Sequence, residues 1–127
     1  MLGMAESGQF RLGLRLLTVL AKGPGTMHTS AAIAEELGES PVVVRRMFLL
    51  LHKAGLIEQK KGPNGGAKLM IPAKQIGVGT VYGAVSKGWL VVGDASVDGV
   101  MKKVRAEAIA AMNETTLNQV VKKLRKA

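Results

Sequence analysis

The sequence predicts a mainly helical α+β fold: several helices, one small β-hairpin, and a long helix toward the C-terminus. Three observations lead there. Apolar residues recur at helical spacing through most of the chain. Capping residues and glycines divide that pattern into separate helices. Two short runs, Leu56 to Lys60 and Lys68 to Ile71, flank the turn sequence Gly62-Pro63-Asn64-Gly65-Gly66. With 127 residues and 47% apolar content, the chain can bury one core. One Trp, one Tyr and two Phe make that core aliphatic.

Taken in order, Phe10, Leu14, Leu17 and Leu20 set the phase of a first helix, with Ser7 as its expected N-cap and Gly23-Pro24-Gly25 as its end. Thr29 or Ser30 caps a short second helix carrying Ile33, Ala34 and Leu37, and Gly38 closes it. Ser40-Pro41 supplies an N-cap followed by proline at the first helical position. The third helix therefore runs from about Pro41 to Ala54, with Gly55 as its stop. A two-turn helix, a short glycine-containing turn and a longer helix form a helix-turn-helix. The hairpin that follows occupies the position of a wing. Val78 to Val85 reads as a further helix and Ser86 to Asp94 as irregular chain. Val97 to Met112 forms an alanine-rich helix, Asn113 to Thr116 interrupts it, and Thr115 is the expected cap of a basic last helix.

The third helix has two distinct sides. Val44, Met47, Phe48 and Leu51 share one arc and belong to the core. Val42, Arg46, Leu49 and Lys53 lie opposite, with Arg45 and His52 on one flank. In a helix-turn-helix the first turns of the second helix enter the major groove. Arginine forks onto guanine O6 and N7, and valine contacts a thymine methyl. Arg46 is the expected base reader, with Arg45 on a base or phosphate and Pro41 and Val42 beside them. Ser40 and the adjacent amides suit a phosphate, as do Thr29 and Ser30 at the start of the second helix. Around the wing, Lys61 and Asn64 are the expected tip contacts, and Lys60 and Lys68 neutralise phosphates. The formal charge of +9 favours a polyanionic partner, here double-stranded DNA. A solvated Arg pair and an ordinary lysine-bearing hairpin are the plain structural alternatives.

These segments, in this order, resemble the Rrf-two family of winged helix-turn-helix transcriptional regulators from bacteria. The resemblance runs from about Gln9 to Val121 and rests on Arg11-Leu12-Gly13-Leu14-Arg15-Leu16-Leu17, Ile33-Ala34-Glu35-Glu36-Leu37-Gly38, Ser40-Pro41-Val42-Val43-Val44-Arg45-Arg46, Lys53-Ala54-Gly55-Leu56-Ile57, the wing Lys61 to Leu69, and Thr115-Thr116-Leu117. It implies two parts: residues 7–74 as the DNA-binding domain, and residues 75–127 as connecting helix, loop and C-terminal dimerisation helices. It also implies a homodimer in which the long helix packs across its partner, with Val100, Met101, Val104, Ala108, Ile109 and Met112 as interface candidates. Cluster-binding members carry three cysteines between the fourth helix and the long helix. This chain has no cysteine at all, so it resembles the cluster-free branch and is expected to hold no cofactor. An unknown small-molecule or protein effector is compatible with that branch. Trp89, with Leu90, Val91 and Val92, is either a pocket lining or a packing anchor.

Other chemistries find little support. Gly77-Val78-Gly79-Thr80-Val81-Tyr82-Gly83 misses the dinucleotide-loop spacing by one and lacks its βαβ setting. His28 and His52 have no metal-ligand partners at suitable spacing, so no metal is expected. No nucleophile, base and orienting group come together, so there is no catalytic residue and no enzyme. No targeting segment or membrane span is visible, which makes a cytoplasmic location the expectation. Two rivals to a sequence-specific repressor stay open: a winged-helix module docking on an acidic protein, and a non-specific nucleic-acid binder.

Overall fold

The computed structural model describes residues 2–62, 65–86, 88 and 90–126, and for residues 2–7, 125 and 126 it describes the backbone alone. The elements are α1 (Leu2–Lys22), α2 (Ser30–Leu37), α3 (Pro41–Lys53), β1 (Ile57–Lys60), β2 (Gly66–Leu69), a 3-10 turn (Ala73–Gln75), α4 (Val78–Val85), α5 (Ala95–Met112) and α6 (Leu117–Lys126). Apart from the 3-10 turn, which the sequence reading did not include, order and type agree with it. Helix α1 is the hub, packing on α2, α3, β2, α4 and α6. Its Leu16, Leu17 and Leu20 are completely buried in a cluster that also takes in Ile33, Phe48, Ile57, Val81 and, from α6, Leu117 and Val121. Burying each such side chain stabilises the fold by about 1.5–3 kcal/mol.

The helix-turn-helix caps form as expected. Thr29 is the N-cap of α2, its Oγ1 accepting the Ala32 N–H at 3.0 Å, and Ser30 is the first helical residue. Gly38 ends α2 at φ 69°. Ser40 Oγ accepts the Val43 N–H at 3.2 Å, with Pro41 opening α3. Four boundaries differ from expectation. Helix α1 starts at Leu2, so Ser7 lies inside it and not at its N-cap. Helix α5 begins two residues earlier than its apolar pattern, because Asp94 Oδ1 accepts the N–H groups of Ser96 and Val97. Thr116, not Thr115, caps α6: Gln119 Oε1 accepts the Thr116 N–H at 2.8 Å and Thr116 Oγ1 accepts the Gln119 N–H at 3.3 Å, a reciprocal capping box.

The fourth difference is in the hairpin. Strand β2 covers Gly66–Leu69 rather than Lys68 to Ile71, pairing Ile57 with Leu69 and Lys60 with Gly66. Its start is fixed by a third segment. His28 and Ala67 exchange N–H···O bonds of 2.8 and 2.9 Å, so the chain just before α2 lies along the outer edge of β2. At Gly66, φ is 136° and a Cβ would land on the His28 carbonyl oxygen, so only glycine fits there.

The Gly77 to Gly83 segment also has a structural explanation. A Cβ at Gly79 would strike the Ile109 carbonyl oxygen, and Gly83 faces the Ile109 side chain. The missing side chains let α5 lie directly on α4. Asn113 Oδ1 then accepts the Thr80 N–H at 2.8 Å, a cap for α4 supplied from the far end of α5. Residues 90–94 adopt no helix or strand. Leu90, Val91 and Val92 are exposed, while Trp89 lies outside the described residues.

Candidate nucleic-acid interface

Helix α3 separates its two sides as the wheel predicts. Val44, Met47, Phe48 and Leu51 are at most 3% exposed and lock the helix against the core. Leu50 is half-buried and packs on the core's margin, whereas Val42 and Leu49 are 54% and 52% exposed. Ser40, Pro41, Arg45 and Arg46 are all exposed. Neither arginine lies in a described ion pair. The guanidinium groups are thus held on a rigid helix with no described carboxylate neutralising them.

The wing brings a second set of cations to α2 and α3. A groove of about 320 Å³ is lined by Thr29, Ser30, Arg45, Phe48, Gln59, Lys60, Lys61, Gly62, Gly65 and Gly66. Five of the sequence-predicted contact residues (Thr29, Ser30, Arg45, Lys60 and Lys61) therefore line one concavity. The His28–Ala67 pairing creates it, by fastening the wing root to the chain that enters α2. Ser40, Pro41, Val42 and Arg46 lie outside the groove, at the exposed start of α3. Lys68 does not join it; its Nζ is 3.4 Å from Glu58 Oε2. Asn64 lies outside the described residues.

Two contributors were missed in the sequence. Gln59 lines the groove because strand alternation puts it on the face of the buried Ile57, and the period of two alone would have placed it. His28 has no such signal, since its role is a backbone pairing with a strand 39 residues away. Its ring is satisfied locally, Nε2 lying 3.1 Å from the Gly23 carbonyl oxygen. His52 Nδ1 lies 3.3 Å from the Ile57 carbonyl oxygen, so both histidines act as local staples.

The long helix presents a different surface. No residue of α5 is buried. Met101, Ala108, Ile109 and Met112 are half-buried on the side that faces α4. Val100 is 65% exposed, and Val97 and Val104 continue the same outward row. The six interface candidates are therefore divided between two faces.

Residues 7–127 match the family model of Rrf2 (the Rrf-two family), described as iron-dependent transcriptional regulators. The chain is 39% identical over 77 residues to the HTH-type transcriptional regulator IscR of Vibrio atlanticus, covering 61% of this chain and 40% of that protein. It is 31% identical over 85 residues to IscR of Cereibacter sphaeroides, covering 66% of this chain and 55% of the relative. The chain thus spans about half the length, or less, of these curated relatives. Among solved structures it is similar to T. potens IscR, with a TM-score of 0.68, 25% identity and coverage of 91% and 85% of the two chains. Staphylococcus aureus CymR is similar at a TM-score of 0.67 and 26% identity, with coverage of 90% and 95%.

The family description raises the question of an iron centre, and the residues of this chain do not fit one. It has no thiolate to offer. Among the described residues no group of three or more His, Cys, Asp or Glu side chains comes together. At the entry to α5 the carboxylates are the N-cap Asp94 and, in the first turn, Asp98, and both are engaged by backbone. Asp94 caps α5, and Asp98 accepts the N–H groups of Val92 at 2.7 Å and Gly93 at 3.2 Å. Among the described residues no helix is long and apolar enough to cross a membrane. With its ordered caps, wing and long helix, and a family match extending to its last residue, this chain belongs to the Rrf2 family of winged helix-turn-helix proteins.

Proposed function

We propose that this chain is a sequence-specific, DNA-binding transcriptional regulator that acts as a homodimeric repressor on a pseudo-palindromic operator. The observation that carries this reading is the exposed Arg45–Arg46 pair, without an ion pair among the described residues, on a helix whose opposite arc is wholly buried. In this reading α3 enters the major groove and Arg46 reads a base edge, with Val42 beside it. The groove between α2 and the wing receives the phosphate backbone on Lys60, Lys61, Arg45 and the caps Thr29 and Ser30. Asn64 at the wing tip approaches the minor groove. Membership of a family described as transcriptional regulators supports the same reading.

Residues 7–74 serve as the reading part and residues 75–127 as the pairing part. The outward row of Val97, Val100 and Val104 supports a homodimer through α5, since an 18-residue helix with no buried residue gains stability from a second surface. A two-fold dimer sets its half-sites about one helical turn apart, roughly 34–36 Å. We further propose that the protein works in the cytoplasm and without an iron–sulfur cluster, consistent with its lack of cysteine.

The test is selection of bound sites from a random duplex pool, followed by footprinting and a salt titration. A palindromic consensus and a steep salt dependence are expected. Indifference to duplex DNA would overturn the reading in favour of protein docking, and equal affinity for every sequence would reduce it to non-specific binding.

A further inference from the structure

We infer that helix α3 recognises two thymines by their 5-methyl groups, through Val42 and Leu49, on either side of the guanine contact. This rests on the proposed placing of α3 in the major groove, and it names what the two aliphatic side chains of that face select.

Val42, Arg45, Arg46 and Leu49 follow one another at i, i+3, i+4 and i+7. On an α-helix these positions share an arc of about 100°. Recognition helices that lie along a major groove reach base edges with this same spacing. All four side chains are exposed in the folded chain, Val42 and Leu49 by more than half. The core arc of Val44, Met47, Phe48 and Leu51 lies on the opposite side, so the helix is anchored without them. The cations occupy the middle of the reading arc and the aliphatic groups its two ends. Along the axis Val42 and Leu49 are about 10.5 Å apart, which is about three base-pair steps of roughly 3.4 Å each.

The residue types of α3 narrow what it can read. Adenine is recognised in the major groove by Asn or Gln at N6 and N7, and cytosine by Asp or Glu at N4. Helix α3 contains none of these four residue types. Arginine recognises guanine, and an aliphatic side chain recognises the thymine methyl. The helix is therefore equipped to read G·C pairs from the guanine and A·T pairs from the thymine. Its remaining polar ring, that of His52, is turned to the Ile57 carbonyl oxygen at 3.3 Å. Phosphate binding gains nothing from valine or leucine, which carry no charge. Against a methyl group, each instead removes apolar surface from water. Solvated aliphatic groups set among cations thus suit base readout and not backbone attraction alone.

The test is a deoxyuridine scan of the half-site obtained from a random duplex pool. Each thymine is replaced in turn, so that one methyl is lost and base pairing is kept. Binding by the parent protein should weaken about threefold to fivefold at two positions flanking a guanine, about three base pairs apart, and stay unchanged elsewhere. Leu49→Ala should bind more weakly and lose the response at one of these positions only, and Val42→Ala should lose the other only. Leu49→Met, which keeps an apolar side chain of similar size, should retain both responses. All three variants should melt with the parent protein, since both side chains are exposed. Three outcomes would overturn the inference while leaving DNA binding by α3 in place: a half-site without thymine, a scan with no sensitive position, or sensitivity that both alanine variants leave intact. Failure to bind any duplex would overturn it together with the reading it rests on.

Discussion

Helices α3 and α5 are both amphipathic and resolve that character in opposite ways. Helix α3 completes its apolar side within the chain, burying Val44, Met47, Phe48 and Leu51, and turns its cations outward. Helix α5 buries nothing fully and turns Val97, Val100 and Val104 outward. Its inner side is held by close backbone approach at Gly79 and by half-buried Met101, Ile109 and Met112. One helix is finished and displays charge; the other is unfinished and displays aliphatic surface. A finished helix can hold a side chain rigidly enough to read a base edge. An exposed aliphatic row such as that of α5 is the kind of surface the proposed homodimer would cover.

Several substitutions break or sharpen this contrast. The largest effect should come from Phe48→Ala, which removes a ring from the completed side of α3. It should cost about 3–5 kcal/mol in chemical denaturation at any protein concentration. Val100→Ala on α5 should cost nearly nothing in dilute protein and should instead weaken self-association, as read by sedimentation. Equal, concentration-independent losses for the two would erase the distinction. Next, Arg46→Ala should leave Tm in place and cost about 1–3 kcal/mol of operator affinity, with relaxed base preference at one position. Lys61→Ala should weaken binding across all sequences and make the salt slope shallower.

Gly79→Ala acts on the unfinished helix from behind. Its new methyl would occupy the place of the Ile109 carbonyl, so a loss of about 1–3 kcal/mol is expected. Deuterium uptake should rise in α5 while α3 stays protected. The smallest effect belongs to the last helix. Thr116→Ala should cost about 1 kcal/mol and Thr115→Ala much less, a difference that thermal melts of the two variants would resolve.

Legibility followed the range of the interaction. The caps Thr29, Ser40 and Gly38 and the core arc of α3 were readable because each depends on residues within one or two turns. The Gly62 to Gly66 turn was readable as a hairpin, but its register was not. Strand β2 starts at Gly66 because His28, distant in sequence, pairs with Ala67. The capping box at Thr116 and Gln119 was present in the sequence and was passed over for the neighbouring threonine. The Gly77 to Gly83 spacing was visible, but its purpose needed α5 laid against it. In the same way, the sequence brings Arg45, Lys60 and Lys61 into one candidate set, and only the fold shows them sharing a groove that Lys68, paired with Glu58, does not enter.

What the sequence determined by itself was the succession of helices and hairpin, the buried arc of α3 and the absence of thiolate chemistry. These are local periodicity, local capping and composition, properties that need no distant neighbour. Tertiary structure alone decided where the wing is fastened and which face of α5 its own chain covers. Those outcomes depend on contacts between segments tens of residues apart, and the pattern within any one segment holds no record of them.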